Sequence, residues 1–256
     1  MKEGIIIASF GTSFEDTLKA CIQPIEDMVR AAFKDRPVRR AFTSNMIIKK
    51  HKERDGIHIH TVEEAIKDMV HEGIHKIHVQ PLHIIPGFEY DKIQRAVKVA
   101  NHQEGVEVSI GLPLLYESHH YDQVIEVITQ DLKEEEDRAY LFMGHGTDHP
   151  ANACYSMLQA KLNDIRSDIY LANVEGYPEL DDRLEAVKAY KHVTLKPFML
   201  VAGDHARNDM AGEDEDSFKS QLQALGLETD CLLEGLGQMA GIQEIFLNRV
   251  KESLEA

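Results

Sequence analysis

Short runs of β-branched and other apolar residues alternate along the chain with longer amphipathic stretches. This alternation is typical of βαβ units and predicts an α/β fold with parallel strands and covering helices. The predicted strands are 5–9, 38–42, 74–79, 106–110, 139–143, 169–174, 193–202 and 229–233. Apolar residues at steps of three and four, with capping signals, predict helices near 18–33, 61–71, 90–101, 152–165, 178–190, 217–225 and 242–254.

The eight predicted strands form two sets of four, one in each half of the chain. We therefore expect two similar α/β domains, 1–130 and 131–256, each with a four-stranded parallel sheet flanked by helices. They join near an acidic stretch at 133–137, and the last helix is able to pack across to the first domain. Loops 9–13 and 144–148 follow the first strand of each half. Because ligands of open parallel sheets bind outside the carboxyl ends of the strands, both loops are expected to face a shared cleft.

Acidic side chains outnumber basic ones by 44 to 28, which gives a formal net charge of −16. Such a surface repels nucleic acid and anionic membranes, so we expect neither as a partner. A polyanionic small substrate is unexpected on the same grounds. No run approaches the roughly 18 apolar residues of a membrane span, and the apolar start at 5–7 lacks signal-peptide features, so we expect a cytoplasmic protein. The three cysteines contain no C-x-x-C pair, which argues against a disulfide framework or a cysteine metal site.

Histidine is abundant, with 14 residues, but most positions have an ordinary interpretation. His58 and His60 alternate, so we interpret them as the polar solvent face of a short strand. His71 and His75 have helical spacing, yet Gly73 between them is expected to end the helix. His119 and His120 are adjacent and are expected to point in different directions. Abundance alone therefore identifies no site.

One histidine has a distinctive setting, because His145 lies between Gly144 and Gly146 at the end of the fifth predicted strand. The glycines remove side-chain bulk, which would let a flat ligand or a metal approach closely. The alternative is a tight strand-to-helix turn whose histidine only bonds its neighbours. The spacing matches neither G-x-G-x-x-G nor a P-loop, and the chain has no G-x-S-x-G, so no nucleotide site is predicted.

Two further strand ends carry metal-competent side chains. Glu175 follows the sixth predicted strand and His205 follows the seventh, so three successive strand ends offer His145, Glu175 and His205. Two imidazoles and one carboxylate, with open positions, suit a divalent first-row metal that must still exchange ligands. Each residue alone has a structural alternative, but their conjunction favours a metal site.

Five segments then resemble those of the anaerobic, early-insertion cobalt chelatases, which belong with the ferrochelatases to the class II chelatases. They are Ser9–Ser13, His83–Tyr90, Gly144–Asn152, Asn173–Pro178 and Pro197–Gly212. The resemblance covers nearly the whole chain in order, and the last segment is highly specific. It implies two Rossmann-like, chelatase-like domains with the active site between them, and it puts the family's metal-site residues on His145, Glu175 and His205.

The resemblance implies insertion of Co²⁺ into sirohydrochlorin in anaerobic cobalamin biosynthesis, a lyase-type reaction that needs no nucleotide. Co²⁺ is then a metal substrate, the tetrapyrrole is the small-molecule partner, and a homo-oligomer is the common default. Two alternatives stay open: an iron or nickel chelatase for a related tetrapyrrole, and a non-catalytic carrier of metal or tetrapyrrole. N/O ligands do not by themselves select among Co²⁺, Fe²⁺ and Ni²⁺.

Further residues complete the predicted site. Glu89 is a candidate catalytic proton acceptor beside His145, Glu175 and His205, although it also suits the first turn of a helix. Backbone N–H groups at helix starts, together with aromatic side chains, are expected to receive the substrate's carboxylates and macrocycle. The candidate substrate-binding residues are Ser9, Phe10, Gly11, Thr12, Ser13, Phe88, Gly146 and Thr147.

Overall fold

The computed structural model of the protein describes residues 2–255. Its strands are β1 (Lys2–Ser9), β2 (Val38–Phe42), β3 (Ile74–Pro81), β4 (Glu107–Ile110), β5 (Arg138–Gly146), β6 (Ile169–Glu175), β7 (His192–Pro197) and β8 (Glu228–Cys231). Its α-helices are α1 (Glu15–Thr17), α2 (Gln23–Ala32), α3 (Asn45–Asp55), α4 (Val62–His71), α5 (Phe88–Ala100), α6 (Ser118–Thr129), α7 (Ala153–Asn163), α8 (Leu184–Val187), α9 (Phe218–Ala224) and α10 (Ala240–Glu255). π-Helical turns connect α1 to α2 at Leu18–Ile22 and follow β7 at Ala206–Met210.

The first of two compact units, which we call unit 1, comprises Met1–Tyr116 and Gly237–Ala256. Its sheet has the order β2-β1-β3-β4, and each neighbouring pair is parallel. Ile5, Ile6 and Ile7 on β1 are all buried because both faces of a parallel sheet of this kind are covered. Helix α4 starts with the predicted capping box of Thr61 and Glu64, and its apolar face joins the core on the sheet.

The second unit, unit 2, comprises Glu117–Leu236. Its sheet repeats the arrangement of unit 1, with the order β6-β5-β7-β8 and parallel pairing throughout. Leu141 and Met143 on the central strand β5 are buried and share one core with residues of β7 and α9. The predicted α/β fold with two four-stranded parallel sheets is thereby confirmed.

The units divide between Tyr116 and Glu117, whereas the sequence pattern placed the boundary at 130. Helix α6 packs against α7 of unit 2, and Lys161 on α7 forms an ion pair of 2.5 Å with Asp122 on α6. The acidic stretch 133–137 therefore lies inside unit 2 and leads from α6 into β5. The last helix belongs to unit 1, where Arg249 of α10 donates hydrogen bonds to the carbonyls of Leu112 and Leu114.

Two elements are shorter than the sequence pattern predicted. Strand β7 ends at Pro197 instead of continuing to 202, because the chain leaves the ladder where proline lacks a donor. The expected helix at 178–190 is reduced to a 3₁₀ turn at Leu180–Asp182 and the single turn of α8. There the chain first doubles back against β6, with the Asn173 N–H donating to the Pro178 carbonyl at 2.7 Å.

Two helices, α3 and α6, have no counterpart among the predicted elements. α3 buries few of its eleven residues, so its sequence lacks a broad apolar stripe. α6 is capped by Glu117, which forms a capping box with His120 instead of the usual Glu or Gln.

Within 2–255, no helix has the length and apolarity needed to cross a membrane. Cys21 is buried, Cys154 and Cys231 are partly buried, and none of the three forms a disulfide within 2–255.

Candidate active site

The three predicted metal ligands follow three adjacent strands of unit 2. In the parallel ladder Gly146 on β5 is paired with Glu175 on β6, so the exposed side chain of His145 stands next to the end of β6. His205 follows β7, the neighbour of β5 on its other side, immediately before the π-helical turn. The sheet topology thus brings all three residues to the carboxyl edge of one sheet.

The two histidines contact each other. Their ring centroids lie 4.7 Å apart and their planes are inclined at 85°, an edge-to-face arrangement. His145 Nδ1 lies 2.8 Å from the carbonyl oxygen of Gly146, and His205 Nδ1 lies 2.8 Å from Asp209 Oδ2. A carbonyl and a carboxylate only accept hydrogen bonds, so each Nδ1 carries the proton and each Nε2 keeps its lone pair. Both imidazoles are therefore set in the tautomer that binds a metal through Nε2.

Asp209 is a site residue that the sequence analysis did not single out. It lies four residues after His205, inside the π-helical turn Ala206–Met210, and both side chains are partly exposed. π-Helical turns are frequent at functional sites, and a carboxylate on the distal nitrogen of a metal-binding imidazole fixes the ring's orientation and raises its basicity. The i, i+4 spacing of His205 and Asp209 is the sequence signal that would have found this pair.

The glycines that flank His145 are required by the close packing of β5 against β6. A Cβ on Gly144 would lie 2.3 Å from Asn173 Oδ1. A Cβ on Gly146, whose φ is +74°, would lie 1.6 Å from the carbonyl oxygen of Glu175. β5 and β6 therefore approach so closely that no side chain fits there. Of the two interpretations of these glycines, the close approach of β6 favours a tight strand end over space for a ligand, while His145 itself projects to the exposed side.

Glu175 is exposed at the end of β6. The potential ligand atoms of His145, Glu175 and His205 do not all lie within 4.8 Å of one another. Within 2–255, only one group of three metal-competent side chains has its ligand atoms that close together. The two imidazoles are thus in contact, and the carboxylate stands at the same edge in a more open arrangement. Openness of this kind suits a site from which the metal must leave.

The compact group is Glu117, His119 and His120 at the start of α6, and its chemistry is that of a helix cap. The Glu117 backbone N–H donates to His120 Nδ1 at 3.0 Å, and the Glu117 carboxylate accepts from the backbone N–H of His120. This bond occupies the lone pair that a metal would need, and the positive end of the helix dipole disfavours a cation. The rings of His119 and His120, expected to point apart, lie 4.2 Å from each other.

The predicted substrate-binding residues of unit 1 differ in accessibility. Ser9, Thr12 and Ser13 are buried, and Thr12 Oγ1 bonds Thr17 Oγ1 at 2.8 Å. Phe10 and Phe88 expose 44% and 50% of their surface, as an apolar ligand would require.

Glycine at position 11 is required by packing in that loop, since its φ is +93° and a Cβ would lie 2.5 Å from the Phe42 ring. In unit 2, Gly146 is buried, and the Thr147 N–H donates to Asn152 Oδ1 at 3.1 Å. This N–H was expected to bind the substrate, but it already has an acceptor within the protein.

Glu89 lies in the first turn of α5. Its Oε1 is 2.6 Å from Lys92 Nζ, whereas its Oε2 is buried with no hydrogen-bond partner in the described structure. Nearby, His83 Nε2 lies 3.2 Å from Thr43 Oγ1, and burial lowers the pKa of His83 to about 4. The imidazole of His83 is therefore neutral near pH 7, and Glu89 Oε2 has the unused acceptor capacity that a proton acceptor needs.

The chain thus contains two α/β units with parallel sheets, and one of them carries an imidazole pair at the carboxyl ends of its strands. A model of the family described as cobalt chelatase (CbiK) matches residues 3–255. The chain belongs to this cobalt chelatase family, which confirms the resemblance seen in the sequence.

Curated relatives agree with this assignment. The chain is 37% identical over 257 residues to the sirohydrochlorin cobaltochelatase of Salmonella typhimurium strain LT2, covering 99% of this chain and 97% of the relative. It is 32% identical over 260 residues to the sirohydrochlorin cobaltochelatase CbiKC of Nitratidesulfovibrio vulgaris strain Hildenborough, covering 100% and 92%.

Solved structures share the fold at lower identity. SirB from Bacillus subtilis with Fe³⁺ matches with a TM-score of 0.69 and 17% identity, over 99% of this chain and 96% of that chain. The sirohydrochlorin chelatase SirB from Bacillus subtilis subspecies spizizenii, in complex with cobalt, matches with a TM-score of 0.66 and 16% identity, over 100% and 96%. At these identities the likeness concerns the fold.

Proposed function

We propose that this chain inserts Co²⁺ into sirohydrochlorin, without a nucleotide, as a step of anaerobic cobalamin biosynthesis. The observation that carries the proposal is the imidazole pair of His145 and His205, whose Nδ1 protons are committed to acceptors and whose Nε2 atoms are open. Membership of the cobalt chelatase family and the names of both curated relatives support the metal and the tetrapyrrole. The three cysteines, none of which forms a disulfide within 2–255, suit the reducing cytoplasm, where we place the reaction.

In this mechanism the two histidines hold the incoming ion. Nε2 of His145 and Nε2 of His205 bind Co²⁺, while the Gly146 carbonyl and the Asp209 carboxylate keep both rings turned toward the ion. Glu175, on the strand beside His145, adds a carboxylate oxygen. Co²⁺ accepts imidazole and carboxylate together, and the remaining positions are left to water and then to pyrrole nitrogens.

Protons must leave as the metal enters. Metallation places one Co²⁺ in the macrocycle and releases two pyrrole N–H protons, so the charge of the macrocycle is unchanged. Glu175 is the proposed first acceptor, because its exposed carboxylate stands at the metal edge and becomes free when Co²⁺ departs. Glu89, with its unpartnered Oε2, is the proposed second acceptor.

The experiment is an anaerobic absorbance assay with purified protein, sirohydrochlorin and Co²⁺. The parent chain should form many equivalents of cobalt product per chain, whereas His145→Ala and His205→Ala should lose at least about 100-fold in rate, since each removes a ligand to the ion. His192→Ala is the matched control, because His192 lies at the amino end of β7, opposite the site.

Three results would contradict the proposal. Parent-like rates for both alanine variants would remove the site assignment. Product limited to one equivalent per chain would indicate a carrier. Faster turnover with Fe²⁺ or Ni²⁺ than with Co²⁺, measured side by side, would show that Co²⁺ is not the preferred metal substrate.

A further inference from the structure

The side chain of Asn152 joins the two loops that follow His145 and Glu175. Its Oδ1 accepts the Thr147 N–H at 3.1 Å, in the loop after β5. Its Nδ2 donates to the Tyr177 carbonyl at 2.5 Å, in the loop after β6. One amide group therefore links the strand end that carries the imidazole to the strand end that carries the carboxylate.

This bridge is not an ordinary helix cap. Asn152 is the N-cap residue of α7, a position at which an asparagine side chain usually accepts a backbone N–H of the first turn. Here the side chain makes no such bond. The turn before α7 is capped instead by His149, whose Nδ1 accepts the Ala151 N–H at 3.0 Å. The amide of Asn152 is thus used between loops and not within its own helix.

The bridge needs a side chain with both a donor and an acceptor. The Thr147 N–H can only donate and the Tyr177 carbonyl can only accept, so together they fix which way the Asn152 amide points. Asn152→Asp would keep the bond to Thr147 but set a carboxylate oxygen against the Tyr177 carbonyl, and neither of these groups donates. Asn152→Ala would remove both bonds.

The loop that Asn152 holds lies outside the sheet. Glu175 is the last residue of β6 that pairs with β5, so Gly176 and Tyr177 are beyond the ladder. Gly176 has a φ of +73°, and a Cβ there would lie 3.0 Å from the Thr147 carbonyl oxygen. The two loops therefore pack closely against each other where the amide bridges them.

A second asparagine contacts the same loop over longer distances. Asn173 Nδ2 lies 3.5 Å from the Gly176 carbonyl oxygen and 3.4 Å from the Tyr177 carbonyl oxygen, both at the limit of a hydrogen bond. The bond of 2.5 Å from Asn152 is much shorter. We therefore expect the position of this loop to depend more on Asn152 than on Asn173.

We propose that Asn152 is a positioning residue of the metal site, which holds the Glu175 carboxylate beside the imidazoles of His145 and His205. The inference rests on the proposed function, in which Glu175 gives a carboxylate oxygen to Co²⁺. Glu175 is exposed, so the loop that follows it sets where its carboxylate reaches. Asn152 itself binds neither the ion nor the tetrapyrrole. Loss of the bridge should weaken Co²⁺ binding about 10-fold, as when a group that orients a ligand is removed.

The test is a double-mutant cycle of Asn152→Ala and Glu175→Ala, with Co²⁺ binding measured by equilibrium dialysis without tetrapyrrole. The binding that counts is the part lost in His145→Ala/His205→Ala. Asn152→Ala should raise the Kd for Co²⁺ about 10-fold in the parent but less than about 2-fold in Glu175→Ala, because the effect requires that carboxylate. A general loss of structure would act in both backgrounds. Asn163→Ala, at the other end of α7, is the matched control and should bind as the parent does.

Asn152→Asp is the second variant, for the case that Asn152→Ala does not fold. It keeps the acceptor for the Thr147 N–H and loses only the donor to the Tyr177 carbonyl. Its added negative charge would by itself attract Co²⁺, whereas loss of the bridge predicts weaker binding than in the parent. Far-ultraviolet circular dichroism and the Tm of the metal-free variants report on the fold.

Each outcome decides the proposal. It is overturned if Asn152→Ala and Asn152→Asp both bind Co²⁺ as the parent does, or if Asn152→Ala has the same effect with and without Glu175. It is also overturned if Glu175→Ala alone leaves Co²⁺ binding unchanged, since no carboxylate is then held at the ion, or if no binding depends on His145 and His205. A parent chain that fails to metallate sirohydrochlorin would contradict the proposed function instead, and Co²⁺ binding would still decide the role of Asn152.

Discussion

At the residue scale, the hydrogen bond from His205 to Asp209 sets the tautomer and orientation of the imidazole that is proposed to bind the metal through Nε2. Asp209 Oδ2 accepts from His205 Nδ1 at 2.8 Å, which fixes both the tautomer and the ring orientation. Since Asp209 lies in the π-helical turn that follows His205 and binds only Nδ1 of its ring, changing Asp209 alters the imidazole without removing a proposed ligand.

We predict that Asp209→Ala lowers kcat/KM for Co²⁺ by about 10–100-fold, the usual effect of losing such a partner. Asp209→Asn should lose less, because the amide oxygen still accepts from Nδ1–H and preserves the tautomer while the charge is lost. The effect should fall mainly on KM for Co²⁺ and shift the visible absorption of bound Co²⁺. Asp216→Asn, on an exposed side chain of the same unit, is the control. Equal kinetics for Asp209→Ala and the parent would show that Asp209 does not position His205.

A second residue-scale prediction concerns the close approach of β5 and β6. Gly146→Ala forces a side chain into φ +74° and within 1.6 Å of the Glu175 carbonyl oxygen. Strain and overpacking together should lower the free energy of unfolding by about 2–5 kcal/mol.

The matched control is Gly226→Ala, with φ +82° and nothing within 4 Å of the added Cβ, where only the strain of about 1–2 kcal/mol applies. Urea denaturation measures both variants, and equal losses would contradict the packing explanation.

The sequence predicted which residues stand at the carboxyl edge of the sheet of unit 2, but it did not predict which groups hold their side chains. His145, Glu175 and His205 follow three predicted strands, and parallel topology alone brings such ends together. The Nδ1 acceptors escaped prediction for two reasons: Gly146 accepts through a backbone carbonyl, which sequence does not display, and Asp209 depends on the local helical geometry after β7.

At the scale of elements, the strands were predictable because a parallel sheet buries both faces and leaves continuous apolar runs. β2 was predicted with the bounds that the structure shows, and β3 extends two residues beyond its predicted end. Helices with weak apolar stripes were the ones missed, as in α3, where Ile47, Ile48 and His51 are the buried residues. For α8 the sequence predicted too long a helix, because the Pro178 carbonyl accepts a hydrogen bond from Asn173 of β6 before any helix starts.

A buried histidine on β3 makes the stability of the protein depend on pH. His78 is 1% exposed, with Nδ1 2.9 Å from Ser109 Oγ on β4, and burial lowers its pKa from 6.5 to about 4. Between these pH values the unfolded chain binds a proton that the folded chain does not. The free energy of unfolding therefore falls as pH drops from 6.5 to 4, by up to about 3 kcal/mol from this group.

We predict that His78→Gln flattens this part of the pH dependence. Urea denaturation at pH 7, 6 and 5 should show a smaller loss of stability on acidification than in the parent. His71→Gln, on an exposed histidine at the end of α4, should keep the parent's slope. The same slope in His78→Gln and the parent would mean that His78 does not carry the effect.

At the scale of the whole molecule, the charge of −16 conflicts with an anionic substrate and agrees with a cationic one. Sirohydrochlorin carries many peripheral carboxylates, so the global field repels it while attracting Co²⁺. Two cations of unit 1, Arg54 and Lys92, do not offset this repulsion as isolated positive charges. Arg54 donates to Asp55 and to the Ser13 carbonyl, and Lys92 donates to Glu89, so these two cations already have acidic neighbours.

The two substrates should therefore respond to salt with opposite signs. Raising ionic strength from about 0.01 M to about 0.15 M shortens the Debye length from about 30 Å to about 8 Å, which screens the protein's long-range field. KM for Co²⁺ should then rise several-fold, because attraction of the cation is lost, while KM for sirohydrochlorin should fall, because repulsion of the polyanion is lost. Initial rates with each substrate varied in turn, in a salt whose anion does not bind cobalt, measure both constants. A rise in both would show that local cations at the tetrapyrrole's binding surface outweigh the net charge of the chain.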